Sequence, residues 1–301
     1  MTTGDLSDGP IVVGTDGSAN AADAVAWAAT LAARRNRALR IVHAFTTIPG
    51  LRADAPPIAD VNDAVTEEAG RVVAAAGDVA KAAAPDVRIE TGVLNGDTAP
   101  ALVAESRSAS MVVLGATGRG GFTGMLTGST AVAVTGHAEC PVAVVRRRDD
   151  GTLAADDGPV LVGVDGSPLS ECAIAVAFRE ASLRGVALVA VYAWRDVEYD
   201  GAYTRAPVQF AGGPHEQEQR ELLAERLAGY RETYPDVEVE RVVVLDRPRR
   251  QLLERSRTAS LVVVGSRGRG GFRGLLLGST SQALIQHAGC PVLVARNPRG
   301  R

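Results

Sequence analysis

A stretch of 25 residues occurs twice in this chain with almost the same letters. Residues 106–130, SRSASMVVLGATGRGGFTGMLTGST, return 150 positions later as residues 256–280, SRTASLVVVGSRGRGGFRGLLLGST, and 17 of the 25 positions are identical. Because the offset is about half of the 301-residue chain, the repeat predicts two similar domains, over residues 1–147 and 158–298. The charged segment RRRDDGTLAADDGP, residues 146–159, is then an exposed linker.

Six of the 17 repeated letters are glycines, which a hydrophobic core alone would not require. Each copy has an apolar strand, a glycine-rich loop, and a Gly-Ser-Thr that begins a helix. Glycine lets the backbone approach an anion, and a helix N-terminus offers free N–H groups and a positive dipole end. The repeat therefore predicts a nucleotide site in each half. The predicted phosphate-binding residues are Gly115, Gly118, Arg119, Gly128, Ser129 and Thr130, with Gly265, Gly268, Arg269, Gly278, Ser279 and Thr280 in the second copy.

The spacing of this motif, G-x2-G-x9-G-S-T, differs from the two common phosphate-binding patterns. A P-loop has a lysine directly before its Ser or Thr, and no lysine precedes Ser129 or Ser279. A dinucleotide fingerprint follows the first strand of its domain, whereas this loop follows the predicted fourth strand. A side chain at Gly118 or Gly268 is expected to fill the space of the phosphates.

The composition excludes several classes of partner. Hydrophobic residues make up 46% of the chain and the net charge is −3, so no broad positive field attracts nucleic acid or an anionic membrane. No apolar run is long enough to span a membrane, and the first residues, MTTGDLSDGP, do not resemble a signal peptide. The cysteines have no metal-binding spacing, so no metal site is predicted. The chain is expected to be cytoplasmic.

Apolar segments alternate with helical segments in both halves, which is typical of a parallel sheet covered by helices. The expected fold class is α/β, with two doubly wound five-stranded parallel-sheet domains of Rossmann-like type. The predicted strands are 10–16, 39–45, 87–94, 111–115 and 142–146, then 160–165, 187–194, 237–245, 261–265 and 292–295. The predicted helices of the first half are 20–35, 60–83, 99–107 and 129–137.

An aspartate follows the first predicted strand of each half. The segments Gly14-Thr15-Asp16 and Gly163-Val164-Asp165 are each followed by Gly-Ser. An aspartate at the carboxyl end of a strand lies in the crevice where open α/β sheets bind ligands. An Asp–Gly turn with a helix-capping serine is the structural alternative. Both this aspartate and the glycine loop line one pocket if the first and fourth strands are neighbours.

The glycine motif, the opening VGTDGS, the HAF at 43–45 and the closing Cys-Pro-Val strand resemble the universal stress proteins of the tandem, actinobacterial type. The resemblance covers nearly the whole chain, twice. It implies the strand order 3-2-1-4-5, an adenine-nucleotide-binding fold related to the α-hydrolases, and ATP between the first and fourth strands. The adenine-contacting positions fall on Ala44 and Ala193. The match is weakest over residues 46–87 and 195–237.

These observations favour an ATP-binding regulator over an enzyme. No base or metal-binding carboxylate is recognisable beside the glycine loop, although Asp16 and Asp165 leave Mg²⁺ with the ATP as an option. A slow ATPase or ATP-dependent transferase is the first alternative, and a scaffold with a vestigial pocket is the second. The closing strands, 141–145 and 291–295, lie at sheet edges in this order, so we expect them to pair as an intramolecular pseudo-dimer. A homodimer is left open.

Overall fold

The computed structural model describes residues 8–46, 58–119, 127–193, 214–244, 248–268 and 276–296. It divides into two compact units between Arg147 and Arg148. Each described unit contains five strands and four helices in strict alternation, beginning and ending with a strand. The fold class predicted from the sequence is confirmed, and the predicted strand ends differ from the observed ones by at most two residues.

The first unit is a parallel sheet in which β1 lies beside both β2 and β4, and the order is β3-β2-β1-β4-β5. Its strands are β1 Ile11–Gly14, β2 Leu39–Phe45, β3 Ile89–Asn95, β4 Met111–Gly115 and β5 Val142–Val145. Its helices are α1 Ala19–Arg34, α2 Ile58–Ala83, α3 Thr98–Glu105 and α4 Ser129–His137. The helices cover an apolar sheet, which explains why strand sequences such as IVVG and MVVLG are continuously apolar.

The second unit repeats this topology, with the order β8-β7-β6-β9-β10. Its strands are β6 Val160–Val164, β7 Leu188–Ala193, β8 Val239–Val244, β9 Leu261–Gly265 and β10 Val292–Ala295. Its helices are α5 Pro168–Arg184, α6 Pro214–Thr233, α7 Pro248–Arg255 and α8 Ser279–His287. The predicted pairing of the two closing strands concerns the placement of one unit relative to the other, and it stays a prediction.

The two units differ in how their first two helices pack. In the second unit the buried Phe178 of α5 stacks on Tyr230 and Tyr234, with ring centroids 5.5 and 6.0 Å away. The equivalent residues of the first unit are all alanine, namely Ala29, Ala80 and Ala84, and all are buried. Aromatic side chains therefore join α5 to α6, whereas α1 and α2 meet through small side chains.

Replacing Phe178 with alanine is expected to lower the free energy of unfolding of the second unit by about 3–5 kcal/mol, because it leaves a cavity beneath two tyrosines. Urea-induced unfolding followed by tyrosine fluorescence and circular dichroism measures this. The conservative change Phe178→Leu serves as the control and is expected to cost less. An equal loss in both variants would show that burial of the ring does not stabilise the contact between α5 and α6.

Candidate nucleotide site at the carboxyl edge of the sheet

A cavity of about 380 Å³ opens at the carboxyl ends of β1, β2 and β4 in the first unit. Parallel pairing of β1 with β4 brings the chain after Gly14 next to the chain after Gly115. Residues from three helices also line it, including Ala21 of α1, Thr98 and Leu102 of α3, and Ala131 of α4. This is the crevice in which open α/β sheets bind ligands. β1 and β4 are thus neighbours in the sheet, which is the condition for the aspartate and the glycine loop to line one pocket.

Asp16 connects the end of β1 to the glycine loop. Its Oδ1 accepts a hydrogen bond from the Ser18 amide at 3.0 Å, and its Oδ2 accepts one from the Arg119 amide at 2.6 Å. Burial by itself would raise the pKa of Asp16, but hydrogen bonds from Ser18 and the Arg119 amide outweigh it and hold the pKa below its ordinary value. The carboxylate is therefore ionised at neutral pH and fixes the start of the loop.

Close contacts account for two glycines of the loop. A Cβ on Gly118 would collide with Oδ2 of Asp16, and a Cβ on Gly115 would lie 2.7 Å from the carbonyl oxygen of Asn20. From the sequence, bound phosphates were expected to exclude a side chain at Gly118. In the structure the Asp16 carboxylate is a nearer obstacle, because even a methyl group at Gly118 would push the loop away from this aspartate.

Gly128 is different, because nothing in the fold excludes a side chain there. It is the N-cap of α4, its φ of −71° suits any residue, and a Cβ would have no neighbour nearer than 3.6 Å. It nevertheless provides no side-chain cap, whereas the Ser18 hydroxyl caps α1 by accepting from Ala21 at 3.2 Å. The first amides of α4 therefore face the cavity mouth without an N-cap side chain, as anion-binding helices do.

The second unit repeats these features. Oδ1 of Asp165 accepts from the Ser167 amide at 2.9 Å, and a Cβ on Gly268 would collide with Oδ2 of Asp165. Helix α8 begins after Gly278, again without a side-chain cap. The Gly278 amide donates to Ser266 at 2.8 Å, just as the Gly128 amide donates to Ala116 at 2.7 Å. Both units thus hold a loop of the same design at the same edge of the sheet.

The structure brings together most of the predicted residues of the first unit. Those lining the cavity are Gly14, Asp16, Ala44, Gly115, Gly118, Gly128, Ser129 and Thr130. Arg119 is placed differently: its amide binds Asp16, but its side chain lines a separate groove beside α2. In the second unit, Gly163 is the penultimate residue of β6, and Gly265 ends β9. Ala193 ends β7, and Ser279 and Thr280 begin α8. Arg269 lies outside the described residues.

Several cavity residues were not predicted from the sequence. His43 is a residue of β2 that lines the cavity. Its Nδ1 lies 2.7 Å from the carbonyl oxygen of Thr15, so the ring is the Nδ1–H tautomer and donates this hydrogen bond. Thr117 accepts a hydrogen bond from the Asn20 side chain. Thr98 begins α3 shortly after the end of β3 and lines the cavity. Its position at the carboxyl edge of the sheet could have identified it from the sequence as a cavity residue.

These unpredicted polar residues are not repeated. Thr15, Asn20, His43 and Thr98 correspond to Val164, Leu169, Tyr192 and Pro248, while Thr117 corresponds to the exposed Arg267. The hydrogen-bonding groups beside the first loop are thus replaced by three apolar side chains, one phenol and one guanidinium in the second unit. The two sites share their backbone design and differ in their side-chain chemistry.

The described residues contain neither a metal-binding cluster nor a membrane-spanning helix. No group of three or more His, Cys, Asp or Glu side chains in the described ranges is arranged to hold a metal ion. None of the helices in that same part of the chain is both long enough and apolar enough to cross a membrane. The thiols of Cys140 and Cys290 are buried, and Cys172 is half-buried.

A duplicated, doubly wound α/β unit with an aspartate-anchored glycine loop defines the class of protein. The model of the universal stress protein family matches residues 9–146 and again residues 158–296. The chain therefore belongs to the universal stress protein family, in its tandem form, as the sequence motifs indicated.

Relatives of the same length support this membership. Universal stress protein Rv2005c of Mycobacterium tuberculosis is 45% identical over 297 residues, which cover 95% of this chain and 96% of that protein. Universal stress protein Rv2623 of the same organism is 42% identical over 306 residues, covering 98% and 99%. A universal stress protein structure from Archaeoglobus fulgidus shares the fold, with 20% identity, a TM-score of 0.72 and coverage of 97% and 99%.

The two kinds of loop glycine are expected to respond differently to alanine. Gly118→Ala should lower the free energy of unfolding by about 1–3 kcal/mol, because the new methyl group overlaps the Asp16 carboxylate. Gly128→Ala is the control and should cost well under 1 kcal/mol, since its methyl group meets only ordinary contacts. Chemical denaturation of both variants measures this, and equal costs would contradict the contact between Gly118 and Asp16.

Proposed function

We propose that each unit binds one ATP molecule at the carboxyl edge of its sheet and holds it without turning it over. The observation that carries this proposal is the pairing of a glycine loop with an uncapped helix N-terminus, present in both units. Each component alone is common, but together they supply main-chain donors and a positive dipole end for phosphates. Family membership supports a role in the response to stress.

The residues of the first cavity suit an adenine nucleotide. Its volume of about 380 Å³ lies in the range of ligand pockets, roughly 300–1,000 Å³. Val42, Ala44 and Leu102 form an apolar side for the base. Gly118 and the first residues of α4, Ser129 and Thr130, would bring main-chain amides to the phosphates, and Ser129 and Thr130 would add hydroxyl groups. Mg²⁺ would enter with the phosphates, whose charge it neutralises.

The state of Asp16 favours binding over hydrolysis. A general base works best with a pKa near the operating pH, and the pKa of Asp16 is shifted the other way. Both of its carboxylate oxygens already accept main-chain hydrogen bonds, so the carboxylate is a fixed structural group. A slow ATPase or an ATP-dependent transferase is the alternative, with the catalytic group supplied from outside this cavity.

Bound ATP would act as a regulator by stabilising one state of the protein. At about 100 times its dissociation constant, a ligand adds roughly 2.7 kcal/mol to the stability of the form that binds it. Such an increment shifts an equilibrium between two closely balanced states, so the occupancy of the sites would report the supply of ATP.

The nucleotide carried by the purified protein tests the proposal. After prolonged storage at neutral pH with Mg²⁺, the protein is denatured and the released nucleotide is identified by chromatography. We expect intact ATP in the supernatant. ADP would favour the hydrolytic alternative, and a protein that neither carries nor takes up ATP would leave only the scaffold. Cyclic AMP, which lacks the triphosphate chain, is titrated alongside to show how far the phosphates determine affinity.

Aspartate at the helix N-cap provides a matched negative control. In Gly128→Asp and Gly278→Asp the new carboxylate would cap α4 or α8, which favours folding by a few tenths of a kcal/mol. The same carboxylate would occupy the proposed phosphate position and repel the ligand. Each variant should therefore lose ATP binding in its own unit while remaining at least as stable as the original chain. ATP binding at full affinity in the double variant would exclude the helix N-termini as the phosphate site.

The two sites are expected to differ in affinity, with the second unit binding ATP more tightly. The second loop has arginine at 267 and 273 where the first has threonine at 117 and 123. Arg267 is exposed, whereas Thr117 is bonded to Asn20; positions 123 and 273 lie outside the described residues. If each arginine contributed about 0.5 kcal/mol, the affinities would differ about fivefold.

Calorimetric titration of Gly128→Asp and of Gly278→Asp isolates each remaining site. A Kd about fivefold lower for the second site is expected. Arg267→Thr in the Gly128→Asp background should remove about half of that difference in free energy. A first site that is equal or tighter would contradict the role given to the arginines while leaving ATP binding itself unaffected.

A further inference from the structure

A second cavity, of about 370 Å³, lies between α1 and α2 of the first unit. It is a groove on the far side of Gly17 from the glycine-loop cavity, and the two share only Thr15 among their lining residues. One wall is formed by Val72, Ala76 and Val79 of α2. Val72 and Ala76 are each only 7% exposed, so this wall is apolar and largely enclosed.

A guanidinium closes the groove at one end. Nη2 of Arg119 lies 2.9 Å from the point where a Cβ on Gly17 would stand, so the side chain rests directly over this glycine. Gly17 has a φ of +76°, which favours glycine and leaves the space clear. Within the described ranges, no hydrogen bond or ion pair reaches the Arg119 guanidinium.

The other two charged residues that line the groove, Glu68 and Arg71, form an ion pair with each other, and Glu67 lies outside the lining. Arg71 of α2 pairs with Glu67 at 3.3 Å and with Glu68 at 3.0 Å, and all three side chains are more than half exposed. Arg119 is therefore the charge in this groove that a bound molecule would have to match. An anionic group fits that end, and an apolar body fits the wall.

The second unit shows the same position filled. Ala22 and Ala76, which line the groove, correspond to Glu171 and Arg226, and these two form an ion pair between α5 and α6. The hydroxyl of Tyr230, which replaces Ala80, lies 3.5 Å from the carbonyl oxygen of Glu171. One copy of the repeat thus packs this space with its own charged pair, and the other leaves it open.

We propose that the groove between α1 and α2 is a binding site for a small organic acid with an aliphatic or aromatic body. The carboxylate would bind the guanidinium of Arg119, and the body would lie along Val72, Ala76 and Val79. The ion pair between Glu171 and Arg226 indicates the kind of chemistry that this space accommodates, because it places a carboxylate and apolar methylene groups there. The proposal is independent of nucleotide binding.

Titration of the full chain with octanoate tests the proposal, with 1-octanol as the uncharged counterpart. Ligand-observed nuclear magnetic resonance measures both affinities. We expect octanoate to bind at least tenfold more tightly than 1-octanol. Arg119→Gln, an exposed change that leaves the wall intact, should weaken octanoate about tenfold and leave 1-octanol unaffected. Absence of octanoate binding up to its solubility limit, or equal octanoate binding in Arg119→Gln, would overturn the proposal.

A second variant fills the groove with the pair that the chain already uses. Ala22→Glu with Ala76→Arg copies the ion pair of the second unit and should abolish octanoate binding. Ala74→Arg, on the exposed surface of α2 and outside the groove, adds one positive charge and should retain binding. Circular dichroism confirms that each variant is folded. Binding that survives in a folded double variant, or that Ala74→Arg abolishes, would place octanoate elsewhere and refute the site.

Discussion

The hydrogen bond from the Arg119 amide to the Asp16 carboxylate is the contact on which the site of the first unit depends. It joins the chain after β1 to the loop after β4, which are separated by about a hundred residues in sequence. Parallel pairing of β1 with β4 makes the contact geometrically available, and the glycine at 118 makes it sterically available. It acts together with the hydrogen bond from the Asn20 side chain to Thr117, which holds the preceding part of the same loop.

The contrast between helix ends explains how a stable fold can leave a helix N-terminus open at the proposed phosphate site. Ser18 and Ser167 cap α1 and α5, so these helices satisfy their first amides internally. Gly128 and Gly278 leave α4 and α8 without such caps, at a cost in stability of only a few tenths of a kcal/mol. A well-packed sheet tolerates that small loss. Each unit therefore has one helix, α1 or α5, whose N-terminus is capped by a serine, and another, α4 or α8, whose N-terminus is left available to a ligand.

Much of this arrangement was predictable from the letters alone. The repeat predicted two units, and the position of Asp16 and the glycines predicted one cavity, because strand adjacency follows from a doubly wound topology. The direction of the Arg119 side chain was not predictable, since a long side chain on a loop takes its orientation from distant neighbours. The groove beside α2 was not predictable either. It arises because Ala22 of α1 and Ala76 of α2 face each other. How two packed helices are rotated relative to one another cannot be deduced from the sequence of either helix alone.

The space between the first two helices is filled by an ion pair in the second unit and open in the first. This difference is possible because the two copies lie in one chain. In an assembly of identical chains, a substitution appears in every subunit, so a glutamate gained on one helix is gained on all of them. In a tandem chain, Glu171 and Arg226 could be acquired in one copy while Ala22 and Ala76 persisted in the other. Each copy is then free to diverge where the other is constrained. The repeat thus keeps the glycine loop in both copies, while the residues around each loop differ.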